Sequence, residues 1–229
     1  FNLPATFVYP VTVSLIPAVS AALTRQNTLQ ANRIISSSFR LIALFSLPAG
    51  VGLSVLAQPI LQLLYPAVPD TAAAAAYHLQ ILGAAAVFVC LMILTNAILQ
   101  ACGRVYVPIV TALIGGAVKI STTYTLCGNP VFGIKGAPIS TTACYAVIAV
   151  LNLCVLAAVL GKSRPRYLPL LCKPALAAAL MGGCAHFVFR FLHTAAGLSP
   201  QWAVLAAIVL AASFYAFLAL LLRMVTRED

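Results

Sequence analysis

An all-α, polytopic membrane bundle of about seven transmembrane helices is the fold class this sequence predicts, and three observations predict it. Of its 229 residues 63% are hydrophobic and 7% charged, with a mean hydropathy of +1.07, whereas soluble domains carry about 25% charged residues. The stretches Phe1 to Thr24, Leu41 to Pro69, Thr71 to Gly103 and Phe191 to Leu222 contain no Asp, Glu, Lys or Arg, and a helix needs about 20 apolar residues to cross a bilayer. The loops between apolar runs are alternately rich and poor in Lys and Arg, as membrane topology requires. A soluble reading is excluded.

Hydropathy, with Gly, Pro and charge as boundaries, places spans at 1–24, 41–64, 78–101, 105–126, 137–160, 172–193 and 202–222. The first holds Pro4, Pro10 and Pro17, the second Pro48 and Pro59. An interior proline frees a backbone carbonyl, which membranes tolerate where a neighbour or a watery cavity satisfies it; transporters use such helices, and Pro is also common in membrane helices generally. Between these spans Ala31, Ile34, Ile35 and Phe39 lie opposite Asn32, Arg33, Ser36, Ser37 and Arg40. That stripe predicts a short helix over 27–39 in the cytoplasmic interface. Segment Gly161 to Pro174, with Pro165, Pro169 and four basic residues, is the longest break. The expected organisation is therefore five spans in 1–160, a basic loop over 161–171, and a helix pair with its tail over 172–229. In that pair Ala175 to Ala185, with Gly182 and Gly183, forms a small-residue packing surface, and Trp202 to Leu222 is apolar nearly all round.

Ten of the thirteen basic residues fall on one side: Arg25, Arg33, Arg40, Arg104, Lys162, Arg164, Arg166, Lys173, Arg223 and Arg227. Lys135 and Arg190 fall on the other, and Lys119 lies inside a span. Positive loops stay cytoplasmic, so Phe1 is expected outside and Asp229 in the cytoplasm of a multi-pass protein of the cell membrane. The charge of +10 sits at helix ends rather than along one helix, so nucleic acid is not an implied partner. The chain opens at Phe1 without Met or a basic n-region with a cleavage site, which reads as a fragment without a signal peptide and with helices upstream.

Seven cysteines, mostly within spans and without a CxxC pair, read as small buried hydrophobes rather than disulfides or metal ligands. His186 and His193 read as interfacial. The acids are Asp70, Glu228 and Asp229, with no paired carboxylates, HExxH or phosphate-cradling glycine loop. No catalytic residue, metal or cofactor is implied. A polytopic glycosyltransferase or acyltransferase, which needs positioned acids or bases, is the competing enzyme class and is disfavoured.

Binding candidates are polar residues inside spans. Lys119 lies roughly 21 Å from the cytoplasmic end and about 10 Å from the outer one. An intramembrane charge is by default functional, so its ammonium either faces a polar cavity or snorkels to the outer interface. Gly115, Lys119, Thr122 and Thr123 share one face; Asn96 and Gln100 are i, i+4; Tyr145 and Asn152 are i, i+7; Thr6, Tyr9, Pro10, Ser14 and Pro17 line part of the first span. Each such residue serves either interhelical hydrogen bonding or a cavity wall.

The opening FNLPATFVYPVTVSLIPAVSAALTRQN, then SSSFRLIALFSLPAGVGLSVLAQPILQLLYP, LMILTNAILQACGRVYVPI, VKISTTYTLCGNP and GIKGAPISTTACYAVIAVLNL, resemble polysaccharide-biosynthesis proteins of the stage V sporulation protein B type, over their C-terminal half. These belong to the multidrug/oligosaccharidyl-lipid/polysaccharide exporter superfamily and are relatives of the lipid II flippases. The resemblance runs along essentially the whole chain. It implies a transporter of two six-helix lobes around a central cavity plus two C-terminal helices, of which this chain holds the later half. The implied activity is translocation of a polyprenyl-linked oligosaccharide or peptidoglycan precursor by alternating access, and the implied partners are that lipid-linked saccharide, membrane lipids and the absent N-terminal lobe. The extra helix pair is implied to form a groove for the polyprenyl tail, with simple lipid-facing packing as the alternative. Multidrug or cation antiport on the same fold is a second transport reading, disfavoured here because no carboxylate lies inside the bundle. A membrane scaffold without transport is the third.

Overall fold

A computed structural model describes residues 1–130, 132–161, 167–194 and 200–221. Among these residues the fold is helical without strands: α1 (Leu3–Thr24), α2 (Thr28–Val55), α3 (Ala57–Leu64), α4 (Pro69–Ala101), α5 (Tyr106–Cys127), α6 (Gly136–Leu160), α7 (Tyr167–Thr194) and α8 (Pro200–Leu221). Seven of them are long and apolar enough to cross a membrane, as the hydropathy predicts. Lys162, Arg164, Arg166, Arg223 and Arg227 lie outside the described residues.

The turns follow from local chemistry. After α1 the chain closes a Schellman motif, with Gln26 N–H bonded to Leu23 O at 2.9 Å and Asn27 N–H to Ala22 O at 3.0 Å. Gln26 takes φ +54° to do so. Asn27 then caps α2 by accepting the Gln30 N–H at 3.0 Å. Gly103 (φ +75°) plays the left-handed part after α4, where Arg104 N–H reaches Leu99 O at 2.9 Å.

This turn corrects one expectation. The short interfacial helix over 27–39 is not separate: α2 starts at Thr28 and runs unbroken to Val55, with Ala31, Ile35 and Phe39 at 0–1% exposure against α1 and α4. No Gly or Pro interrupts it before Pro48, so its apolar stripe continues and finds neighbouring helices rather than headgroups. The expected span 41–64 is likewise divided at Leu56, where α3 begins afresh with Pro59 in its first turn, the place a helix accepts a residue without an N–H. α4 starts earlier than expected, with Pro69 in its first turn, and α7 starts at Tyr167 rather than 172.

α4 is the central and most buried span, packing against α1, α2, α3 and α6. α6 carries α5 on its far side, while α2 carries α7, which carries α8. Two apolar clusters result. One joins α1, α4, α6 and the first half of α2; the other joins the second half of α2, α7 and α8.

Candidate functional site: a polar face and an apolar groove

The polar candidates divide between two roles. Asn152 on α6, 0% exposed, donates to Thr95 Oγ1 at 3.2 Å and Asn96 Oδ1 at 2.7 Å on α4, and its Oδ1 accepts from Thr111 on α5 at 2.8 Å. This network ties three helices near the α4–α5 turn, so the Asn152 amide and the Asn96 carbonyl are engaged in helix bonding. Thr123 likewise donates to Ser140 Oγ at 2.8 Å, joining α5 to α6.

The other candidates face outward. Thr6, Tyr9, Gln100 and Lys119 are exposed, and Tyr145 is half-buried. They come from four helices: Thr6 and Tyr9 from α1, Gln100 from α4, Lys119 from α5 and Tyr145 from α6. Pro10 and Pro17 are exposed on the same helix as Tyr9. They cannot donate to the carbonyls of Thr6 and Val13 four residues earlier.

On the other side of the bundle a groove of about 710 Å³ runs between α2, α3, α7 and α8. Its walls include Phe45, Leu53, Ile60, Met181, Ala212 and Leu220. The small residues expected on α7 account for the close packing behind it, since a Cβ on Gly182 would meet Val51 Cγ1 at 2.5 Å. Leu3 and Pro4 close the groove at the first turn of α1, one turn before Thr6 and Tyr9. The N-terminal end of α1 therefore lies between the apolar groove and the exposed polar residues Thr6 and Tyr9.

The Pro48 carbonyl partner was not legible from the sequence. Pro48 deprives the Leu44 carbonyl, and Tyr215 of α8 donates to it at 3.0 Å. The proline marks the carbonyl, but which residue reaches it depends on how α8 docks. Thr95, Thr111 and Ser140 were missed for the same reason.

The sequence profile described as lipid II flippase MurJ matches residues 2–220. The chain belongs to that family. It is 29% identical over 152 residues to an uncharacterized membrane protein, YabM, of Bacillus subtilis (strain 168), covering 66% of this chain and 27% of that one. The solved structure of a lipid II flippase MurJ in an inward closed conformation superposes with a TM-score of 0.77 over 96% of this chain and 44% of the flippase, at 17% identity. That likeness shows a MurJ-like fold. The chain spans less than half the length of either relative.

Proposed function

We propose that the protein carrying this chain flips a polyprenyl-linked oligosaccharide or peptidoglycan precursor across the cytoplasmic membrane by alternating access. Residues 1–160 supply helices of one lobe, 161–171 a basic cytoplasmic loop, and 172–229 the extra helix pair and tail. The partner lobe comes from outside these residues. Phe1 lies on the outer side and Asp229 in the cytoplasm, because ten of the thirteen cations then face inward.

The observation that carries this reading is the placement of α1. A backbone carbonyl without its helical donor costs several kcal/mol in hydrocarbon. The face of α1 bearing Pro10 and Pro17 therefore belongs against water or a polar partner rather than lipid. Thr6, Tyr9, Tyr145, Asn96, Gln100 and Lys119 border that space, with Thr123 and Asn152 holding its walls in register. The groove that starts one turn away takes the opposite chemistry. An amphiphile with a pyrophosphate-sugar head and an isoprenoid tail matches both, its head beside Lys119 and its tail along α2, α7 and α8.

Lys119→Gln in the full-length protein, reconstituted into vesicles with a fluorescent lipid-linked saccharide, tests the head site. Loss of one charge-assisted contact lowers flipping about tenfold. Unchanged flipping would return Lys119 to a snorkelling role and remove the pyrophosphate contact. Saccharide transfer by the purified protein without flipping would overturn the transport reading itself.

A further inference from the structure

Pro48 stands where α2 leaves one apolar cluster and enters the other. Ile35, Phe39 and Ile42 belong to the first cluster, whereas Leu44, Leu47, Val51 and Leu56 belong to the second. The carbonyl that Pro48 deprives is that of Leu44, and the Tyr215 hydroxyl donates to it at 3.0 Å across 171 residues of chain. Tyr215 is 8% exposed. It is also the only polar side chain among the described residues lining the groove.

Volume alone does not explain a tyrosine there. Phe would fill the same space, and burying a hydroxyl without a partner is unfavourable; the bond to Leu44 is what makes the hydroxyl tolerable. A helix interrupted by proline in lipid has no water to complete its backbone, but a side chain from a neighbour can. That ties the proline turn to the neighbour. Leu44, Pro48 and Tyr215 all line the groove, so the tie sits in the wall itself.

We propose that Tyr215 is a positioning residue, which caps the carbonyl released by Pro48 and thereby ties that turn of α2 to the seat of α8, so that both groove walls move as one body. Its service to transport rests on the flippase reading; the bond and its test do not.

Hydrogen exchange of the purified full-length protein in detergent tests it by a double-mutant cycle. Tyr215→Phe keeps the ring and removes the donor. Backbone amides 49–55 of α2 and 211–219 of α8 then exchange together about three- to fivefold faster, the effect of one membrane hydrogen bond of ordinary net strength. Pro48→Ala restores an N–H to residue 48, so the Leu44 carbonyl regains its helical donor and Tyr215→Phe in that background leaves the α2 amides unchanged. Unaltered exchange in Tyr215→Phe overturns the proposal. So does acceleration in α8 alone, or an equal α2 effect with and without Pro48, since either reduces Tyr215 to packing. A full-length protein that flips no lipid-linked saccharide would sink the transport reading and leave these exchange results standing.

Discussion

Asn152 makes three side-chain bonds to neighbouring helices, and its neighbours differ in how much they depend on it. Thr95 also bonds Leu91 O at 2.8 Å, and Thr111 also bonds Pro108 O at 3.2 Å, so each keeps a partner if Asn152 is lost. Asn152→Leu therefore costs the bonds themselves rather than several orphaned groups, about 1–2 kcal/mol. Thr111→Val, which deletes one bond, costs about 0.6 kcal/mol. Thermal unfolding of the full-length protein in detergent ranks the two, with the larger fall in Tm for Asn152→Leu; equal falls would mean the network contributes only through Thr111. Helical spacing picked out Asn96, Asn152 and Thr123 as residues that matter. It could not assign their roles, because i, i+4 and i, i+7 relations define faces of one helix and leave the identity of the facing helix open.

At the scale of elements, backbone approach decides what can change. α2 and α4 touch at Gly50, Ser54 and Gly83: a Cβ on Gly83 would lie 2.7 Å from Gly50 O and 2.8 Å from Ser54 N. Both are main-chain atoms, so Gly83→Ala has to separate two helices, and overpacking of this kind costs about 1–3 kcal/mol. Gly116 on α5 has nothing within 4 Å of such a Cβ; Gly116→Ala is neutral or stabilising by up to about 1 kcal/mol, since Ala is the better helix former. Chemical or thermal unfolding of the two variants side by side checks the contrast, and a tolerated Gly83→Ala would mean α2 and α4 are less tightly apposed. The order of the seven spans was legible because hydropathy acts over twenty residues at a time. The misread of 27–39 has a definite cause: Ala31, Ile35 and Phe39 form the same stripe whether they lie on headgroups or on α1 and α4. Only the Gln26–Asn27 turn, which starts α2 without a gap, distinguishes the two, and a left-handed glutamine is not a signal that residue type announces.

For the whole molecule, the separation of polar face from apolar groove depends on α5 crossing the membrane in the sense that the cationic loops dictate. Arg104, bonded to Tyr106 Oη at 2.9 Å, precedes α5, and Lys135, 5.5 Å from the centre of the Tyr77 ring, follows it. The 22 residues of α5 cover about 33 Å at 1.5 Å per residue, enough to put these two cations on opposite surfaces. In a full-length protein whose native cysteines are replaced by Ala, Arg104→Cys should react with an impermeant maleimide only when the cytoplasmic side is opened, and Lys135→Cys in intact cells. The reverse pattern would invert the bundle, placing Pro10 and the closed end of the groove on the cytoplasmic half, where an outward-moving lipid-linked sugar enters rather than leaves. Reaction of both from one surface would be worse for the account: α5 would not span, Lys119 would no longer lie inside the bilayer, and the polar face would lose the charge that distinguishes it from ordinary helix packing.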